Sequence, residues 1–364
     1  MNPQLIPSRA LALYTARLWL TRTLGVLAAL VLVLMTLDLL GESGRILEPA
    51  GNGEAEIWRY VGYRVPQLIS RFLPFSVLLG TLITFVTLSQ GSEVIAMKAA
   101  GISAHQILTP FMLAGVAVAG LSFLFNEAVV TKATRALNAW EAVDYSRAPA
   151  PRTGGSNVWV RAGDDLVRAA TVSGSGRDLV LGDVTLIGRR NGIMETYTEA
   201  ARATPSGRGW RLEDVSSYDV SAGRLERREV GYLDVPLRPE QFTLAAVEAD
   251  EQAWPELSQA IAALREAGRP TEGLEAGLWH KISGPASAIL MPLLAAVAAF
   301  GLARSGKLFV RAIVGMLLGF AYFVVDNFAL ALGNLGAYSP FLAAWGPFLL
   351  FGLIGEGVLL RTEE

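Results

Sequence analysis

Residues 107–125 read ILTPFMLAGVAVAGLSFLF, and nothing of that kind recurs until residues 282–303. The first stretch is apolar enough to cross a bilayer, which takes about 20 helical residues. Between the two runs the composition is that of an ordinary water-exposed domain. Working outward in both directions, residues 24–40 and 72–88 form two earlier apolar runs, and residues 312–332 and 341–360 two later ones, the last with Glu356 at its end. Six membrane-spanning helices are therefore expected, with a large insert between the third and fourth. The chain of 364 residues is 52% hydrophobic and 18% charged, and the apolar residues are concentrated in those runs.

The first run lacks a small-residue cleavage site around Thr36-Leu37-Asp38, so it reads as a signal anchor. With the N-terminus inside, the inner segments hold Arg9, Arg17, Arg22, Lys98, Arg304, Lys307, Arg311 and Arg361. The short outer loops hold only Arg45, Arg59, Arg64 and Arg71, offset by nearby glutamates. The positive-inside rule then places both termini inside and the insert outside. The insert is acidic, which argues against nucleic acid as a ligand. The chain has no cysteine, which rules out disulfides and thiolate chemistry.

Residues 126–145 are polar and helix-compatible, an extension of the third span, and APAP at 148–151 marks a boundary. From residue 157 the period changes to two. Val158 and Val160 alternate with Trp159 and Arg161, and a turn at Gly163-Asp164-Asp165 leads into residues 166–172. The pattern continues through 179–187, 194–203, 209–215 and 225–235, which predicts an antiparallel sandwich or jelly roll. Pro255 fits the first turn of an amphipathic helix with Leu257, Ile261 and Leu264 on one face, ended by Gly268.

Few residues suggest chemistry. GLARSGKL at 301–308 has the spacing of a phosphate-binding loop, but Leu308 stands where a Ser or Thr is needed and a membrane helix precedes it. It reads as a basic turn. His105 and His280 lie in separate loops without evident partners, so no metal site is expected. Asp326 is the deepest ionisable residue of the membrane part. It reads equally as a packing or gate element of the fifth span and as a carboxyl satisfied by a neighbouring helix. Arg71 reads as a cavity base or as a snorkelling interface residue.

The loop after the second span, SQGSEVIAMKAAGIS at 89–103, is more informative. Ser92 is placed to cap a short helix with Glu93 in its first turn, Gly101 to end it, and Val94, Met97 and Ala100 to be buried. On physical grounds alone an interfacial loop and a docking helix fit this stretch equally well.

These residues also resemble the cytosolic coupling helix of the LptF/LptG permease family, the membrane core of a lipopolysaccharide-extracting ABC transporter. VWVR at 158–161 with the turn at 163–165, LWHKI at 278–282 with Pro285, and GFAYFVVDN at 319–327 agree. The last two stretches resemble the LptG branch more than the LptF branch. The resemblance implies a six-helix bundle in the bacterial inner membrane with an inserted all-β periplasmic jelly roll. Residues 1–126 would hold spans one to three with the coupling helix near 91–101, residues 127–270 the β-domain, and residues 271–364 spans four to six. It also implies that Glu93, with Ser92, Met97, Lys98 and Gly101 around it, docks in a groove of an ATPase subunit. Implied partners are a homologous LptF permease, an LptB ATPase dimer that binds the ATP and magnesium, LptC, the periplasmic LptA bridge, and lipopolysaccharide. This chain would carry no cofactor of its own.

In that family the lipid cavity lies between the two permeases, spans one and five act as lateral gates, and lysines near the outer end of span one often meet lipid phosphates. This chain departs there, with Met35-Thr36-Leu37-Asp38 and Gly41-Glu42. Arg45, Arg64 and Arg71 become the candidates for phosphate contact, and Met35, Asp38 and Asp326 for the cavity or gate. The alternatives are a permease of another envelope lipid or lipoprotein exporter, or a membrane-anchored periplasmic ligand-binding sensor or enzyme.

Overall fold

The computed structural model describes residues 8–146, 156–174, 178–190, 193–207, 209–220, 222–233, 239, 242, 247–266, 269–301 and 308–363. The expected boundary at 148–151, the stop at Gly268 and most of the basic turn at 301–308 lie outside them. Helices α1 (Arg9–Leu47) and α2 (Glu54–Gln90) are followed by the short α3 (Glu93–Ala99) and by α4 (Ala104–Phe125). A π-helical turn (Asn126–Val130) joins α4 to α5 (Thr131–Glu141), so the third span runs on as one rod. After six strands come α6 (Trp254–Glu266), α7 (Glu272–Ala296), α8 (Leu308–Asn334) and α9 (Pro340–Glu363). Among the described residues six helices are long and apolar enough to cross a membrane, as expected.

Helix α1 has 39 residues. At 1.5 Å per residue that is about 58 Å, well beyond a hydrocarbon thickness of about 30 Å. The surplus of α1, α2 and α5 forms a stalk at the end where the insert begins. Its core holds Met35, Ile46, Tyr60, Leu68, Leu137, Trp140 and Tyr145. Within the bundle α7 is central: 72% of its apolar window is buried, against 11% for α1. Helices α1 and α8 instead turn Leu24, Leu32, Leu37, Leu317, Phe320 and Phe328 outward. Those faces are apolar enough for lipid tails or another transmembrane subunit.

Helices α1 and α2 meet at a glycine. A Cβ on Gly80 would lie 2.3 Å from Thr23 Oγ1 and 2.7 Å from Thr23 Cα. One turn away on α1, fully buried Trp19 donates its Nε1 proton to Thr81 Oγ1 at 2.7 Å. Gly80→Ala is therefore expected to lower stability in detergent by about 1–3 kcal/mol, because the helices must part. Adding Thr23→Ala should not restore it, since the Thr23 backbone itself blocks the methyl group. A thermal melt of the two variants checks both statements.

The insert carries a β-domain, as expected, and its strands follow the alternation read from the sequence: β1 (Ser156–Ala162), β2 (Asp165–Ser173), β3 (Val180–Arg190), β4 (Ile193–Ser206), β5 (Gly209–Asp219) and β6 (Arg224–Leu233). Among the described residues they form one antiparallel sheet in the order β1-β2-β3-β4-β5-β6. The described strands are thus neighbours both in sequence and in space.

The sheet covers its own apolar face by bending. Ala169, Val184, Ala200 and Val215 form one cross-strand row, and Val172, Leu181, Ala203 and Leu212 another. Along each strand the two rows are three residues apart, which in a straight strand would put them on opposite faces. All eight are nevertheless buried in one cluster, with Trp210 against Phe242. On β3 and β5 a left-handed residue, Asp183 (φ 46°) and Asp214 (φ 55°), sits between the two rows.

Candidate functional site

Helix α3 lies at the end of α2 remote from the insert. Ser92 precedes it with φ 58° and makes no side-chain cap bond. The expected capping role is thus corrected: the reversal out of α2 leaves Ser92 left-handed, not in the extended conformation of a capping residue. Val94 and Met97 are buried in the bundle core, in the cluster that also holds Leu88, Ile107 and Leu108. Ala100 is exposed, contrary to expectation, because a helix of seven residues turns only two positions inward before its cap begins. Gly101 ends the helix as expected, with φ 81°. Its N–H donates to Lys98 O, and that of Ile102 to Met97 O, the paired bonds of a left-handed C-terminal stop. Ile95 and Lys98 face outward. Glu93 is half-buried, and its Oε1 accepts a hydrogen bond from the Tyr14 hydroxyl of α1 at 3.3 Å.

At the other end, two of the outer candidates bind each other. Arg64 donates from Nη2 to Asp38 Oδ1 at 2.9 Å and from Nε to Oδ2 at 3.0 Å, and the Tyr60 hydroxyl donates to Oδ2 at 2.7 Å. Arg45 pairs with Glu42 at 3.1 Å and Asp144 at 3.6 Å, with its guanidinium over the Tyr145 ring. The Tyr145 hydroxyl reaches Glu42 and Glu141, and burial followed by those carboxylates raises its pKa. Met35 is buried in the stalk core. Arg71 is exposed and makes no ion pair among the described residues. Among the described residues it is the one of the three outer candidate arginines without an ion pair.

Neither histidine is without a partner, which corrects the expectation. His280 Nε2 lies 3.1 Å from Asp326 Oδ2, and His105 Nε2 lies 2.9 Å from Glu356 Oε1. The first pair ties α7 to α8, so Asp326 has a neighbouring-helix partner. The second ties α4 to α9. Among the described residues no group of three or more metal-binding side chains comes together.

The structure adds a junction that sequence reasoning missed. Glu127, in the π-helical turn, accepts from Lys281 Nζ of α7 at 3.3 Å and from the Trp254 N–H that opens α6. Beside it Arg135 donates to Glu251 O and to Glu256, and Asn138 donates to Glu251 Oε1. The Arg135 guanidinium lowers the pKa of Glu256, while burial raises that of Glu251. In the sheet, a groove of about 190 Å³ is lined by Leu186, Thr198, Leu212, Tyr232 and Leu233 among others. It is smaller than the roughly 300–1,000 Å³ typical of ligand pockets.

Comparison with known proteins completes this picture. A family model described as lipopolysaccharide export system permease LptF/LptG matches residues 13–361. The chain is 25% identical over 326 residues to the lipopolysaccharide export system permease protein LptG of Escherichia coli strain K12, covering 87% of this chain and 89% of that one. It is 26% identical over 360 residues to the LptG protein of Haemophilus influenzae, covering 93% and 97% respectively. Six spans, an inserted β-domain and a short helix between spans two and three thus accompany a match over nearly the whole length, and the chain belongs to the LptF/LptG family of lipopolysaccharide export system permeases.

Proposed function

We propose that this chain is the LptG-type permease subunit of an ABC exporter that extracts lipopolysaccharide from the inner membrane. Both termini and α3 face the cytosol, and the bent sheet faces the periplasm. Helix α3 docks on a cytosolic ATPase through Glu93, Ile95 and Lys98, with Ser92 and Gly101 setting its two ends. ATP and magnesium bind to that partner, an LptB-type dimer. A homologous LptF-type permease covers the outward apolar faces of α1 and α8 and encloses the lipid cavity between the two subunits. Arg71 is the arginine best placed to meet a lipid phosphate, since Arg45 and Arg64 are already paired. Cargo leaves over the β-domain toward LptC and the LptA bridge.

The observation that carries this reading is the position of α3. A helix anchored by Val94 and Met97 turns Ile95 and Lys98 away from the bundle, at the end opposite the insert. An energy source is required because withdrawing acyl chains costs about 0.8 kcal/mol per methylene. Depleting the chain from its native host should make newly made lipopolysaccharide accumulate in the inner membrane. Unchanged delivery to the outer membrane would contradict the proposal.

A further inference from the structure

Glu127 and Lys281 sit where the third span, α7 and the start of α6 meet. Their side chains are 17% and 10% exposed and 3.3 Å apart. The pair joins the third span to α7, and the second carboxylate oxygen takes the Trp254 N–H at the start of α6. An amide at the beginning of a helix has no partner of its own, and a carboxylate there is favoured by the helix dipole. Here that carboxylate comes from a membrane helix 127 positions earlier in the chain. The π-helical turn supplies the fit: it adds a residue to the third span where Glu127 must point inward, and such turns recur at functional positions. Its first residue, Asn126, also meets Ser70 of α2.

The remaining contacts run in the same direction. Arg135 and Asn138 bind Glu251 and Glu256 just before and within α6. Leu257, Ile261 and Leu264 form the buried stripe of α6, and Arg265 of α6 reaches Glu275 of α7. Helix α6 lies on the chain path between the sheet and α7. It is therefore held to both the third and fourth spans.

We infer that Glu127 is a positioning residue for transport. It pins α6 to the third and fourth spans, so that a displacement of those spans is delivered to the β-domain rather than absorbed at the junction. This rests on the export reading above. Breaking the pin should leave the docking end intact and uncouple ATP hydrolysis from lipid delivery.

The test uses the whole complex in vesicles loaded with lipopolysaccharide, with ATP hydrolysis and lipid transfer measured together. For Glu127→Leu and Lys281→Met, hydrolysis should continue while lipid transferred per ATP falls about tenfold or more, within the usual range of coupling between sites. Glu127→Gln should recover much of the loss, because its carbonyl still accepts the Trp254 N–H. Wild-type transfer per ATP in Glu127→Leu would overturn the inference.

A second measurement decides if that variant fails to assemble. The chain has no cysteine, so Asn138→Cys with Glu251→Cys allows a clean cross-link by a short bis-maleimide. If α6 and the third span move as one body, the cross-linked complex transfers lipid as well as the uncross-linked one. Loss of transfer on cross-linking would overturn the inference. A wild-type complex that hydrolyses ATP without moving lipopolysaccharide would instead sink the export reading itself.

Discussion

Glu93→Ala should abolish export while leaving the subunit folded and in the membrane. Among the described residues Glu93 accepts one hydrogen bond, from the exposed Tyr14 hydroxyl at 3.3 Å. Losing it costs at most about 1 kcal/mol of stability. Helix α3 is anchored by other residues, Val94 and Met97 inside and the Gly101 stop at its end, so its shape should survive. What disappears is the carboxylate at the proposed docking surface. Removing one partner of a buried charge pair at an interface typically costs 2–5 kcal/mol, which is about thirtyfold to several thousandfold in affinity. The expected phenotype is failure to support growth of a depleted strain, with normal abundance of the chain and little ATPase retained on purification. Tyr14→Phe is the control: it removes the internal hydrogen bond, keeps the carboxylate, and should export normally. Normal export by Glu93→Ala would remove α3 as the coupling element.

The second large effect is expected at the outer end. Asp38→Ala removes two bonds from Arg64 and one from Tyr60 and strands a guanidinium that is only one-third exposed. Removing one partner of a buried pair costs about 3–5 kcal/mol. Because Asp38 and Arg64 keep 21% and 32% exposure, the loss should lie at or below the lower end, about 3 kcal/mol. The double variant Asp38→Ala with Arg64→Leu should be markedly more stable than the single one, since no charge is left without its partner. Thermal melts of the three proteins in detergent decide it. A single variant as stable as the wild type would mean that solvent already screens the pair.

Much of this architecture was legible in the sequence because it is local. Spans reveal themselves by apolar runs, strands by alternation from Val158 onward, and the amphipathic α6 by Leu257, Ile261 and Leu264. The Gly101 stop was legible for the same reason. What escaped was set by contacts between distant residues. Lys281 and Glu127 are 154 positions apart, and His280 and Asp326 are 46 apart. Asp38 and Arg64 were read separately, one as a cavity residue and the other as a phosphate ligand, and only folding shows that each satisfies the other. Alternation found the strands but not their order. The inward face changes midway along the strands, past Asp183 on β3 and Asp214 on β5, which a strict period of two does not anticipate. Ser92 had the right residue type for a cap, but the tight exit from α2 fixed its backbone first.

The most direct test of the account is purification of the tagged chain from native membranes in mild detergent, with mass spectrometry of the proteins and lipids that come with it. The account predicts a sister permease, a stoichiometric ATPase and bound lipid A species. A chain that purifies alone, or with a different lipid and no ATPase, would contradict it.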